Sequence, residues 1–178
     1  MKLATTLSTM LFIAVVFTNN VRSQMNEFNG KQISRINSIE LNGPIDEVFH
    51  LFTPIGEKKW AEGWEPKIIY PQSQDTQTGM VFSTRHIDEH LTYWVIVDYN
   101  SEEHFIQYVN FIYDFRSVVL KIKCNRIDEN KTEAVINYCY TGLSEKGNKF
   151  IDTVTKDKQK EYIESWQADI NNHLVNNN

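Results

Sequence analysis

The sequence predicts an α+β domain in which one antiparallel sheet of seven strands packs on a long C-terminal helix. Three observations predict it. Between residues 67 and 141 apolar side chains recur at a period of two, in six runs separated by short turn segments. Connections that short allow only antiparallel neighbours, because a parallel pair needs a long crossover. A separate strand at Gln32–Leu41 comes before them, and from Ser144 to Leu174 the period becomes helical with one apolar face.

Composition bounds what such a domain does. The chain has 178 residues, 41% hydrophobic and 12% aromatic, which suits one compact domain rather than two. Eighteen Lys and Arg against 23 Asp and Glu give a net charge of −5, the wrong sign for a nucleic-acid partner. Seven Gly and four Pro exclude a collagenous or linker-like chain, and two Cys cannot build a disulfide scaffold.

The N-terminus reads as a targeting segment. Lys2 precedes eight apolar residues, Met10 to Phe17, and Val21-Arg22-Ser23 places short side chains at a cleavage site before Gln24. The competing reading is a retained anchor. From Leu3 to Phe17 there are only 15 residues, four of them Thr or Ser, where a span needs about 20 apolar ones. The expected organisation is a signal peptide at 1–23, a short extension at 24–30 and the folded domain at 31–175. The mature chain would be secreted or periplasmic, with no stable membrane anchor. Losing Lys2 and Arg22 takes its charge to 16 − 23 = −7.

Gln32–Leu41 opens the domain, with Ile39 and Leu41 alternating against Glu40. Gly43-Pro44 stops that strand, and Pro44 suits the first turn of a helix, with Asp46 and Glu47 at its positive end. Ile45, Val48, Phe49 and Phe52 recur at helical spacing and face the core; Pro54 ends the helix, and Glu57 to Ala61 form a second short turn or helix. The six later strands are expected at Lys67–Tyr70, Met80–His86, Leu91–Tyr99, His104–Ile112, Arg116–Arg126 and Thr132–Thr141.

The last two strands permit a register argument. Val118, Leu120, Ile122 and Cys124 share one face, and Ala134, Ile136, Tyr138 and Tyr140 share another. Joining these faces sets Cys124 opposite Ala134 across a three-residue turn, Asp128-Glu129-Asn130, with Asn130 at its left-handed position. Cys124 then points inward and Cys139 outward, and neither this register nor a one-residue slip brings them within disulfide reach. Two separate free thiols are expected. Asn130-Lys131-Thr132 also has the form of a glycosylation sequon.

With Ser144 as N-cap, Phe150, Ile151, Val154, Tyr162, Ile163, Trp166, Ile170 and Leu174 mark the inner face of one helix, and Asp152, Lys156, Lys160, Glu164 and Asn171 its outer face. Its 31 residues would extend about 46 Å, so it must lie across something as broad as the sheet.

This order resembles the helix-grip fold of the START-like superfamily, often called SRPBCC, in its polyketide cyclase/dehydrase-like branch. The resembling residues run over nearly the whole mature chain. They include Ile39-Glu40-Leu41-Asn42-Gly43-Pro44-Ile45-Asp46-Glu47-Val48-Phe49 at the strand-to-helix opening. The more distinctive block is Phe52-Thr53-Pro54-Ile55-Gly56-Glu57-Lys58-Lys59-Trp60-Ala61-Glu62-Gly63-Trp64-Glu65-Pro66. Gly79-Met80-Val81-Phe82, Tyr138 to Ser144 and the Trp166 helix also fit. The resemblance implies a curved sheet gripping the long helix around a cavity for a hydrophobic or amphipathic small molecule. It supplies no catalytic residue to carry over and no cofactor.

Seven aromatic residues are the candidate cavity wall: Trp60, Trp64, Trp94, Tyr108, Tyr138, Tyr140 and Trp166. Trp60 and Trp64 either wall the cavity mouth or anchor the short helices by ordinary packing. Tyr138 and Tyr140 face inward, so their hydroxyls need a partner or a ligand. His50 falls off the apolar stripe and is expected to be exposed. Glu57 suits a structural bond within its block, to a backbone amide or Lys58. His86-Ile87-Asp88-Glu89-His90 matches H-x-x-E-H, but lies between alternating strands and reads as an exposed turn rather than a zinc helix. No metal is expected, the alternative being a weak site using His86 and His90 across the hairpin. There is no G-x-S-x-G, phosphate-binding glycine loop, C-x-x-C or dinucleotide fingerprint.

The expected function is therefore an exported binder of a hydrophobic or aromatic molecule. The alternatives are a cavity enzyme of cyclase or dehydratase type using a buried Tyr as acid, and a non-catalytic interaction or stress protein with a filled core. The oligomeric state does not follow from the sequence.

Overall fold

A computed structural model describes residues 28–85 and 91–176. The expected targeting segment and the H-x-x-E-H stretch at His86–His90 lie outside these described residues. Seven strands form one antiparallel sheet: β1 (Gln32–Leu41), β2 (Lys67–Tyr70), β3 (Val81–Arg85), β4 (Leu91–Asn100), β5 (Phe105–Ile112), β6 (Arg116–Asp128) and β7 (Lys131–Gly142). Their spatial order is β1-β7-β6-β5-β4-β3-β2. The first strand thus pairs with the last, and β1 and β2 form opposite edges.

That topology explains how the inner face is covered. Residues 42–66 must travel from one sheet edge to the other, and they do so with α1 (Ile45–Leu51), a single 3-10 turn at Glu57–Lys59 and the Trp64 loop. Ile45, Val48, Phe49 and Phe52 are all buried, as their spacing predicts. Pro44 sits one place earlier than expected, at the N-cap with extended backbone (φ −61°, ψ 145°), and the helix stops at Leu51 before reaching Pro54. His50 is exposed.

The β6–β7 register places Cys124 opposite Ala134, as the joined apolar faces require. The turn differs from expectation. Asp128 pairs with Lys131, leaving a two-residue turn, and a bulge between Arg126 and Asp128 absorbs the extra residue. Asn130 is not left-handed. Its backbone N–H donates to Asp128 Oδ1 at 2.8 Å, and this Asx bond replaces the strained conformation. Both cysteines are free, Cys124 buried and Cys139 only partly so. Burial pushes the Cys124 thiol up to about 12. A thiol reagent is therefore expected to titrate one group, Cys139, in the native protein and both after denaturation; two equivalents in the native state would contradict the inward placement of Cys124.

The predicted single helix from Ser144 to Leu174 is two helices, α2 (Glu145–Thr153) and α3 (Lys156–Asn176). Three β-branched residues in a row, Thr153-Val154-Thr155, weaken helix propagation there. Tertiary bonds then hold the break open. Arg35 on β1 donates to the Val154 carbonyl through Nε (3.1 Å) and Nη2 (2.8 Å), and Thr155 Oγ1 accepts from the Lys158 N–H at 3.3 Å. Ser144 caps α2 as expected, accepting from the Gly147 N–H at 3.2 Å. The 21 residues of α3 extend about 32 Å, and Ile163, Trp166, Ile170 and Leu174 bury its inner face. Among the described residues no helix is long and apolar enough to cross a membrane.

Candidate functional site

Alternation along five strands sends one set of side chains to the concave face: Phe82 from β3, Trp94 from β4, Tyr108 and Asn110 from β5, Arg116, Val118 and Leu120 from β6, and Tyr138 and Tyr140 from β7. Opposite them stand Glu57, Trp60, Ala61 and Trp64 from the crossing segment, Phe150 of α2, and Tyr162 and Trp166 of α3. Between the two sets lies a cavity of about 250 Å³. All seven candidate residues, Trp60, Trp64, Trp94, Tyr108, Tyr138, Tyr140 and Trp166, lie on its wall. The filled interior of the third functional alternative is not what the fold adopts.

Each tryptophan on the crossing segment is fixed at its polar end. Trp60 Nε1 donates to the Leu51 carbonyl at 2.8 Å and Trp64 Nε1 to the Pro54 carbonyl at 2.9 Å. Their rings then meet opposite elements: Trp60 lies 5.6 Å from Trp166, and Trp64 lies 5.7 Å from Trp94. Anchoring and cavity lining, posed as alternatives, are thus both met by the same residues. On the sheet, Phe82 stacks on Trp94 (5.8 Å, 5°) and Tyr138 on Tyr140 (5.4 Å, 10°). Such pairs contribute roughly 0.5–1.5 kcal/mol each beyond area burial, so the wall is stiff without a ligand.

Two of the three inward phenols, Tyr108 and Tyr140, are already engaged. Tyr108 donates to the Phe52 carbonyl at 2.7 Å, tying β5 to the end of α1. Tyr140 donates to Gln159 Oε1 at 2.9 Å. Burial pushes all three inward phenols upward, Tyr140 to about 12. That disfavours them as acids near neutral pH.

Two polar residues that the residue pattern did not single out for chemistry complete the wall. Glu57 is 8% exposed, and its carboxyl makes no hydrogen bond or ion pair among the described residues. The expected bond to Lys58 is absent, since Lys58 instead faces Glu65 at 3.8 Å. The position of Glu57 in a 3-10 turn, with its N–H bonded to the Thr53 carbonyl at 2.9 Å, points the side chain inward rather than along the chain. Burial holds its carboxyl well above the ordinary glutamate range. An acid that stays protonated in the folded state while ionising in the unfolded state costs stability as pH rises. The loss begins at the ordinary glutamate value and grows until the folded-state value is passed, by up to about 1.4 kcal/mol per pH unit. Glu57→Gln is expected to flatten that fall in a series of melting curves against pH; an unchanged slope would mean the carboxyl ionises freely in the native cavity.

Arg116 is the second such residue. Strand alternation gave a signal for it, because stepping back two places from inward Val118 lands on Arg116, and Asn110 follows from Tyr108 in the same way. Its Nη1 donates to Asn110 Oδ1 at 3.4 Å, and its guanidinium lies 5.3 Å from the centre of the Phe150 ring. No group of three or more metal-ligating side chains is assembled among the described residues.

Comparison with known proteins adds the fold. No protein-family profile matches the sequence, and no curated protein sequence matches it significantly. Solved structures do match in three dimensions. Norcoclaurine synthase from Thalictrum flavum, in complex with dopamine and hydroxybenzaldehyde, aligns over 88% of this chain and 94% of its own, at 11% identity and TM-score 0.63. An uncharacterised protein from Rhizobium leguminosarum aligns over 83% and 97%, at 12% identity and TM-score 0.60. Ara h 8.0201 aligns over 82% and 99%, at 10% identity and TM-score 0.57. Identities this low establish a common architecture and nothing finer.

Proposed function

We propose that this chain, which has the START-like, Bet v 1-like helix-grip fold, is exported and binds a small hydrophobic or aromatic molecule between its sheet and α3. The observation that carries this reading is the cavity of about 250 Å³ walled by the seven aromatic residues. Proteins of this fold commonly bind hydrophobic small molecules, and the norcoclaurine synthase structure holds two small aromatic ones. The volume narrows the class. Drug-sized pockets run from ~300 Å³ upward, so this one suits a molecule of one or two rings rather than a full lipid. Export rests on the N-terminal pattern, and a mature protein beginning at Gln24 is its expected product.

All four tryptophans of the chain stand on the cavity wall. Intrinsic emission therefore reports on the cavity from every fluorophore. A neutral two-ring aromatic such as naphthylmethanol is expected to quench it saturably, and native mass spectrometry of protein purified from its own host should give residues 24–178 plus a small adduct. Emission that ignores such probes, together with a bare polypeptide mass, would sink the binding reading.

Glu57 favours a second reading, acid–base turnover in the same cavity. A protonated carboxyl beside a bound molecule can give its proton to a departing hydroxyl, as a dehydratase requires, whereas Tyr108 and Tyr140 are held by their own hydrogen bonds. Turnover that disappears in Glu57→Gln and persists in Tyr138→Phe would separate this reading from a passive carrier and from an enzyme using a tyrosine acid.

A further inference from the structure

We infer that the cavity ligand is an aromatic molecule bearing a carboxylate, and that Arg116 receives that carboxylate. The inference rests on the cavity-binding reading and names the chemical class of its ligand.

The argument begins with an imbalance of charge. A guanidinium is always protonated, carries five donors in a planar fork and needs acceptors when it is withdrawn from water. Arg116 lines the cavity and forms no ion pair among the described residues. Its one hydrogen bond is the long contact to Asn110, and its Nε is buried with no partner at all. The residue is partly buried, and withdrawing even part of a charge from water without a partner costs stability. On the wall only the Phe150 ring and the Asn110 amide meet it, and neither carries a negative charge. The single carboxyl there, Glu57, forms no ion pair with it, and burial holds that carboxyl well above the ordinary glutamate range.

The surroundings select what kind of group would fit. Arg116 opens β6, paired with Ile112 on β5 and Gly142 on β7, so three strands fix its position, and Asn110 and Tyr140 flank Val118, the next inward residue on the strand. The ring of Phe150 covers the guanidinium at 5.3 Å, and the N–H edges are left to make polar contacts. A planar oxyanion with two oxygens matches such an edge. The Asn110 amide, which also lines the cavity, belongs to the same polar end. The opposite end is tryptophan and Phe82. One charged end and one aromatic end, in about 250 Å³, describe an arylcarboxylate.

The test uses the mature chain and three probes of one shape: naphthoate, naphthylmethanol and naphthylmethylammonium, followed by tryptophan emission and calorimetry near neutral pH. Naphthoate is expected to bind at least about tenfold more tightly than the alcohol, the return from a charge-assisted pair in a desolvated site. Arg116→Met should bring naphthoate down towards the alcohol, and Arg116→Lys should recover part of the difference. Equal binding of the three probes, a preference for the ammonium, or a naphthoate preference that survives in Arg116→Met would overturn the inference and leave cavity binding standing. If no probe binds, the cavity reading fails first and this one with it. The probe comparison on the unaltered protein decides the matter even if a variant does not fold.

Discussion

Gly147→Ala is expected to lower the melting temperature by about 6–12 °C, the equivalent of about 3 kcal/mol in a domain of this size. In an open helix the same change would stabilise by nearly 1 kcal/mol, so the sign itself is informative. Gly147 lies in the first turn of α2, where the β5–β6 turn docks. A Cβ there would overlap the Phe115 carbonyl oxygen and come within 2.8 Å of its carbon. These are backbone atoms and cannot rotate away. The Phe115 carbonyl also accepts from the Leu143 N–H at 2.9 Å, and Ser144 Oγ donates to the Asp114 carbonyl at 2.7 Å. Moving α2 outward therefore breaks several bonds together and shifts Phe150, which covers Arg116. Thermal unfolding checks it. A melting temperature equal to or above that of the unaltered protein would mean the docked turn is not a fixed part of the fold.

Ala61→Phe is expected to abolish binding of two-ring aromatic probes, by roughly a hundredfold or more, while leaving stability unchanged or slightly improved. Ala61 borders the cavity from the crossing segment, so a phenyl group there grows into the void rather than into packed neighbours. Burying that ring stabilises by up to ~2 kcal/mol, set against any strain at the turn. Occupied space cannot be shared with a ligand. Val118→Phe fills the same void from the sheet side and guards against a local effect at Ala61. Calorimetric titration with unfolding curves reads both quantities. Probe affinity that survives in both variants would place binding elsewhere on the molecule.

Strand positions were legible because a sheet with one buried face imposes a period of two, and a one-residue slip would expose every apolar side chain. The same rule put Cys124 opposite Ala134 and turned Tyr138 and Tyr140 inward. The break between α2 and α3 had a local signal, the Thr153-Val154-Thr155 run, but the apolar stripe on either side of it suggested continuity. What holds the break open is Arg35, which is 119 residues away from Val154. Glu57 signalled only a structural bond within its own block. Its neighbours in sequence suggest a surface turn, and only the path of the crossing segment carries its carboxyl inside.

The sequence by itself determined the strands, the pairing of β6 with β7 and the aromatic identity of the wall, because each follows from periodicity and local chemistry. The tertiary structure decided that ten aromatic residues, from the crossing segment, four strands and both C-terminal helices, face one void, and that a guanidinium without an ion-pair partner and a buried carboxyl share it. Those facts depend on β1 closing against β7 and on residues 42–66 crossing the sheet. No local pattern encodes them, since the groups they bring together are tens of residues apart along the chain.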